Sequence, residues 1–225
     1  MPLKHRPVEQ EHSDLGLERL VFFSDAVMAI AITLLTVDLK LPELGEAATS
    51  LQLLHALAAL TPRFLSFLIS FLVIGVYWSS HHRYFNCIAR MDGRLAALNM
   101  FFLLSIALMP FVAGLLGQYY YLPIGPAVYA AAMAFTGFSM NAIWWYASHK
   151  RRLLKPEVSD AFIRTRRVLL SVGPIAFLLS IPLAWVDFVA IITAWWMSPV
   201  IAIITLRIMQ RRTRRLARTQ KPSRA

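Results

Sequence analysis

Only one cysteine, Cys87, occurs in the chain, so no intramolecular disulfide can form and a cysteine-built metal site has no second thiolate. Charge is scarce: charged residues make up 16% of the 225 positions, against roughly 25% in soluble domains. Acid is scarcer still, with 12 Asp and Glu facing 23 Lys and Arg, a formal net charge of +11. Most apolar segments also lack the polar face that a surface helix of a soluble protein carries. Repeats of 20–50 residues and a second domain are absent. No nucleophile stands near a base: Ser139 in Gly137-Phe-Ser139 has no His deep in any apolar run to serve it, so an intramembrane enzyme is excluded. The basic excess lies in loops and the tail and accompanies no nucleic-acid reading module, which excludes nucleic acid as a partner. Glu9, Glu11, Asp14 and Glu18 before the first apolar run are unlike a cleavable signal peptide, so the first run is expected to remain in the protein.

What is present is long apolar runs, in a composition that is 58% hydrophobic. A helix needs about 20 apolar residues to cross the hydrocarbon core. Six segments are expected to do so, 20–39, 63–84, 95–117, 124–147, 167–186 and 188–207, giving an all-α integral membrane protein. Pro62 opens the second run harmlessly. Pro110, Pro174, Pro182 and Pro199 lie inside later runs, where neighbouring helices can satisfy the backbone groups they free. Basic residues concentrate in 81–94, in 149–167 and after 210, whereas the 40–62, 118–123 and 187 connections are poor in them. The positive-inside rule then puts both termini in the cytoplasm, consistent with an even number of spans. The stretch 47–60 is helical in pattern but too short to span; it lies at the outer interface or begins the second helix early. Residues 1–210 form one membrane domain, and 211–225 is a basic cytoplasmic tail whose Arg and Lys face solvent or lipid headgroups.

The topology assigns depths to the few polar residues inside the runs. Ser24 and Asp25 lie near the inner end of the first run, Trp78, His81 and His82 near the inner end of the second, and Asn99 just inside the third. A carboxylate in an apolar span costs about 2.5–3.5 kcal/mol on insertion scales, so Asp25 asks for a partner or a task. Arg19, Ser24, Asp25, Trp78 and one of His81 and His82 are therefore expected to share a buried hydrogen-bonded network, with Asn99 a further candidate. Two plainer readings stay open: Ser24 and Asp25 capping a helix that starts late, and the histidines sitting satisfied at the interface. Trp144-Trp145, Trp195-Trp196 and Tyr119 to Tyr121 read as interface anchors. Ile30, Leu34 and Val37 recur at i, i+4 and i+7 with Thr33 beside them, but the opposite face is apolar too. Periodicity alone leaves open whether that face meets protein, lipid or a pore.

The pattern Arg19-x-x-x-Phe23-Ser24-Asp25, followed by Ala29-Ile30-Ala31-Ile32-Thr33-Leu34-Leu35, resembles the signature of the transmembrane protein 175 family. That family comprises endosomal and lysosomal potassium channels and shorter prokaryotic relatives; Trp78-Ser-Ser-His81-His82-Arg83 is similar as well. The resemblance implies a prokaryotic six-helix subunit in the cell membrane, assembled as a homotetramer around a pore lined by the first helix. It implies potassium as the permeant ion and no cofactor or bound metal. The Thr-Val-Gly-Tyr-Gly filter loop of ordinary potassium channels does not occur in this chain. By position, Ile30 matches the hydrophobic constriction, Leu34 and Val37 the further apolar layers of the gate, and Thr33 the threonine implicated in potassium preference. Val37 is smaller than the leucine or isoleucine expected there. Arg19, Phe23, Ser24 and Asp25 are implied to be structural and gating elements. The competing expectation is a secondary transporter, proton-coupled through Asp25, although repeats and a midplane charge are missing.

Overall fold

The computed structural model describes the backbone of residues 8–219 and, within it, the side chains of 15–37, 39–197 and 201–208. Eight α-helices follow one another: α1 Val8–Leu34, α2 Ser50–Ala59, α3 Thr61–Phe85, α4 Gly93–Ala107, α5 Met109–Tyr119, α6 Ile124–Ser148, α7 Asp160–Ser180 and α8 Phe188–Thr219. Short 3₁₀ turns at Leu35–Asp38, His149–Arg151 and Ile181–Trp185 extend α1, α6 and α7. Among the described residues there is no strand, only one antiparallel bridge between Ile88 and Leu154.

Local chemistry sets the helix ends. Asp92 caps α4 by accepting the Leu95 amide at 2.8 Å, and Ser159 caps α7 by accepting that of Phe162 at 3.3 Å. Each such cap is worth about 1 kcal/mol. Thr49 and Gln52 form a reciprocal capping box on α2. The segment 47–60 thus becomes a separate helix with no buried residue, joined to α3 through Leu60. Pro110 divides the expected third span into α4 and α5. Helix α1 begins at Val8, well before position 20, so Ser24 and Asp25 are interior residues and not caps. Helix α8 continues through 211–219; the side chains of the expected tail lie outside the described residues.

Among the described residues, five segments are long and apolar enough to cross a membrane: Leu15–Val37, Thr61–Phe85, Gly93–Tyr119, Asp160–Trp185 and Phe188–Ile208. The sixth expected span folds as the 25-residue α6 but falls short of that apolarity. Its position gives the reason. Helix α6 packs against α4, α5 and α7, and Tyr129, Met133, Met140, Ile143 and Trp144 are all buried along it. A helix shielded by neighbours carries polar side chains such as Ser, Thr and Asn at less cost than a lipid-facing one. The aromatic pairs follow the same logic, against the interface reading: Trp144 and Trp195 are core residues, and only Trp145 and Trp196 are exposed.

At Gly137 a Cβ would stand 2.7 Å from Pro174 Cβ, so α6 and α7 touch only because glycine is there. Gly137→Val is expected to destabilise the bundle by about 1–3 kcal/mol through overpacking, read as a lower melting temperature of the purified protein. Unchanged melting would mean that α7 yields freely.

The end of the bundle that carries the 86–92 and 149–159 loops is tied by them. Ala89 N–H donates to the Leu153 carbonyl at 2.7 Å and Lys155 N–H to that of Cys87 at 3.0 Å. Tyr146 O–H donates to Asp92 Oδ2 at 2.6 Å, and Arg151 pairs with Asp160 at 2.7 Å. Partial burial raises the Asp92 carboxyl, but the Tyr146 hydroxyl, the Leu95 amide and nearby Arg152 outweigh it and leave its pKa below the ordinary value.

Candidate pore helix and its anchoring layer

Helix α1 packs against α3 and α4 along one strip, where Ser24, Met28, Ala31 and Leu35 recur at i, i+4, i+7 and i+11 and are all buried. The opposite strip is uncovered. Ile30 is 58% exposed, Leu34 47% and Val37 60%, and Thr33, Ala26 and Phe22 lie on the same side. Asp25, half-buried, stands on the flank between the two strips.

Two polar ties hold the middle of this helix. In the first, Trp78 Nε1–H of α3 donates to Asp25 Oδ1 at 2.9 Å. In the second, Ser24 Oγ donates to the Leu20 carbonyl at 2.7 Å. Asn99 Nδ2 of α4 lies 2.8 Å from Ser24 Oγ, and His81 Nε2 of α3 lies 2.9 Å from Asn99 Oδ1. The directions follow from one end. The Leu20 carbonyl can only accept, so Ser24 spends its proton there and accepts from the Asn99 amide. The Asn99 oxygen then faces His81, which must donate from Nε2–H. His81 Nδ1 is left buried without a hydrogen-bond partner. The imidazole is completely buried and stacks on Phe85 at 4.0 Å and on Phe102 at 5.6 Å between ring centroids.

The residues expected in one network therefore divide. Ser24, Asn99 and His81 form a buried chain across three helices, and Asp25 and Trp78 form a separate, more exposed pair. His82 is exposed and only stacks on Trp78, with centroids 6.0 Å apart. Arg19 and Phe23 lie exposed on α1, away from the chain, and Arg19 makes no bond with another described residue. The Asn99 position, marginal by depth alone, is the middle of the chain. The aromatic sandwich of Phe85 and Phe102 was not foreseen. A signal existed, since Phe85 follows His81 by one helical turn and Phe102 follows Asn99 by three residues.

On the uncovered strip, Thr33 Oγ1 donates to the Ile30 carbonyl at 2.8 Å and Thr36 Oγ1 to that of Thr33 at 2.7 Å. With its proton turned back to the helix, each hydroxyl oxygen keeps lone pairs for an outside ligand.

The chain is 34% identical over 173 residues to a potassium channel of Streptomyces collinus, an overlap covering 75% of this chain and 82% of that one. Residues 19–110 match the family described as the endosomal/lysosomal potassium channel TMEM175. The chain belongs to the TMEM175 family. A potassium channel of Chamaesiphon minutus is 33% identical over 184 residues, 79% of this chain and 89% of that one. The crystal structure of a lysosomal potassium-selective channel TMEM175 homolog from Chamaesiphon minutus superposes with a TM-score of 0.71 at 27% identity, covering 86% of this chain and 98% of that one. The match runs from Arg19 in α1 through α2, α3 and α4 to the first residues of α5, and so contains every residue of the anchoring layer. As a TMEM175 member the chain is an all-helical, multi-pass membrane protein, and it is not an enzyme.

Proposed function

We propose that the protein is a potassium-permeable channel of a prokaryotic cell membrane, assembled as a homotetramer with α1 of each subunit lining a central pore. The observation that carries this reading is the uncovered strip of Ile30, Thr33, Leu34 and Val37 on a helix whose other strip is buried. Relatives named potassium channels supply the ion. Helix α6 supplies the sixth span, and both termini are cytoplasmic, as the loop charges require.

Four copies of Ile30, Leu34 and Val37 form stacked apolar rings, about 10 Å from first to last at 1.5 Å per residue. Close together they exclude water and ions; rotated or separated they conduct. Four Thr33 hydroxyls, with their protons held by the Ile30 carbonyls, offer oxygen lone pairs to a partly dehydrated cation. Four neutral hydroxyls present a weaker field than stacked carbonyl rings, so potassium preference over sodium is modest. The buried chain of Ser24, Asn99 and His81 and the Asp25–Trp78 pair hold α1 in register against α3 and α4, which makes Asp25 an anchor and not a transported-ion site.

Liposomes containing the purified protein test this. Wild type is expected to pass potassium down its gradient without a coupling ion. Thr33→Ala is expected to lower the potassium-over-sodium flux ratio by roughly fivefold, equivalent to about 1 kcal/mol of differential binding. A strict requirement for a proton gradient would sink the channel reading. An unaltered ratio would remove Thr33 from the selectivity role.

A further inference from the structure

The orientation proposed above leaves two basic side chains on the outer side, Lys40 after α1 and Arg63 in the first turn of α3; the other Lys and Arg fall at the inner end or in the termini. Both line one cavity of about 200 Å³, together with Leu35, Phe67, Ala113 and Gln118. Among the described residues no acidic side chain lines it and neither cation has an ion-pair partner; the side chain of Asp38, two positions before Lys40, lies outside them. Basic residues at an outer helix end work against membrane insertion, so their meeting in one cavity calls for a reason. Gly117 helps to bring them there: a Cβ at that position would stand 2.9 Å from Arg63 Cα, and its absence lets α3 and α5 close together at the cavity wall.

The lining supplies a guanidinium, an ammonium and a carboxamide, and the carboxamide Nε2–H also donates to Tyr119 Oη at 3.2 Å. A planar guanidinium matches the paired oxygens of a phosphate, and an ammonium adds a point charge. We infer that this cavity is a binding site for a phosphate-type oxyanion, supplied by the headgroup of an outer-leaflet anionic lipid or by free phosphate. Leu35 in its wall lies one residue from Leu34 and two from Val37, so an occupant touches the outer end of the pore helix.

The test is thermal melting of the full-length protein in a neutral maltoside detergent, with phosphatidylglycerol, phosphatidylcholine or sodium phosphate added. Melting in micelles does not depend on orientation or conduction, so it separates this inference from the channel reading. Labelling of Lys40→Cys on a Cys87→Ser background with an impermeant thiol reagent checks sidedness independently. Phosphatidylglycerol is expected to stabilise wild type and an inner-face control, Lys150→Gln/Arg164→Gln, alike. Lys40→Gln/Arg63→Gln is expected to need about tenfold more lipid for the same shift, the loss of a charge-assisted donor pair. A shift with phosphatidylglycerol alone assigns the lipid source; an equally variant-sensitive shift with sodium phosphate assigns the free anion. Should the double variant fold poorly, Lys40→Gln, altered only on a loop, is expected to weaken the response about threefold. Equal responses of wild type and both variants, or an equal shift with phosphatidylcholine, would overturn the site.

Discussion

Ile30→Asn is expected to raise potassium flux into liposomes on the order of tenfold over wild type, with little change in the protein's melting temperature. Ile30 is 58% exposed in the subunit, so its replacement disturbs few contacts within the fold. In the proposed tetramer four isoleucines form the narrowest apolar ring. Four carboxamides there would admit water and offer oxygens to a passing ion, and a barrier lower by about 1.4 kcal/mol already gives a tenfold rate. Leu34 and Val37 continue the barrier, so the effect should grow when Leu34 is replaced together with Ile30. Unaltered flux alongside normal assembly would place Ile30 against lipid or protein, and the pore strip would have to be sought elsewhere.

Asn99→Ala is expected to be the most damaging of the single substitutions outside the pore strip. Asn99 is fully buried, and its two polar atoms serve Ser24 and His81 at once. Truncation strands the His81 Nε2–H in an aromatic sandwich and leaves Ser24 without its donor. Each buried polar group so orphaned costs about 1–3 kcal/mol, and the pair exceeds what a single surface contact contributes. Melting of the purified protein should fall markedly, and flux should fall with it as α1 loses its register. Trp78→Phe is the useful contrast. It removes a single donor from a half-exposed carboxylate, and its cost should be nearer 1 kcal/mol. If Asn99→Ala melted like wild type, the chain through Ser24 and His81 would be incidental to holding the helix.

Much of this arrangement is legible without coordinates. A near absence of charge over 20-residue stretches dictates helices in a bilayer, because no other open structure satisfies its backbone there. The positions of Lys and Arg give the expected orientation, and Asp25 near the start of an apolar run announces a layer of partners. The motif from Arg19 to Asp25 identified the family that the relatives then established.

Other features were beyond the reach of pattern. His81 and His82 are adjacent and chemically identical, and only the packing of Phe85 and Phe102 buries one and leaves the other exposed. Trp144 and Trp145 differ in the same way, because one face of α6 meets Tyr84 and Phe162. Helix α6 shows the converse limit: its hydropathy lies below that of the five other long apolar segments, and it is the helix that packs against α4, α5 and α7.

The first helix draws the boundary most clearly. Its sequence alone determined a span of the right length, a carboxylate near the start of its apolar run and a spacing that puts Ile30, Leu34 and Val37 on one side. It did not determine which side faces the protein, since a period of 3.6 residues defines faces but both faces here are apolar. The tertiary structure decided that, because Ser24, Met28, Ala31 and Leu35 are the residues that the neighbouring helices cover, while Asn99, itself bonded to His81, donates to the one buried hydroxyl among them.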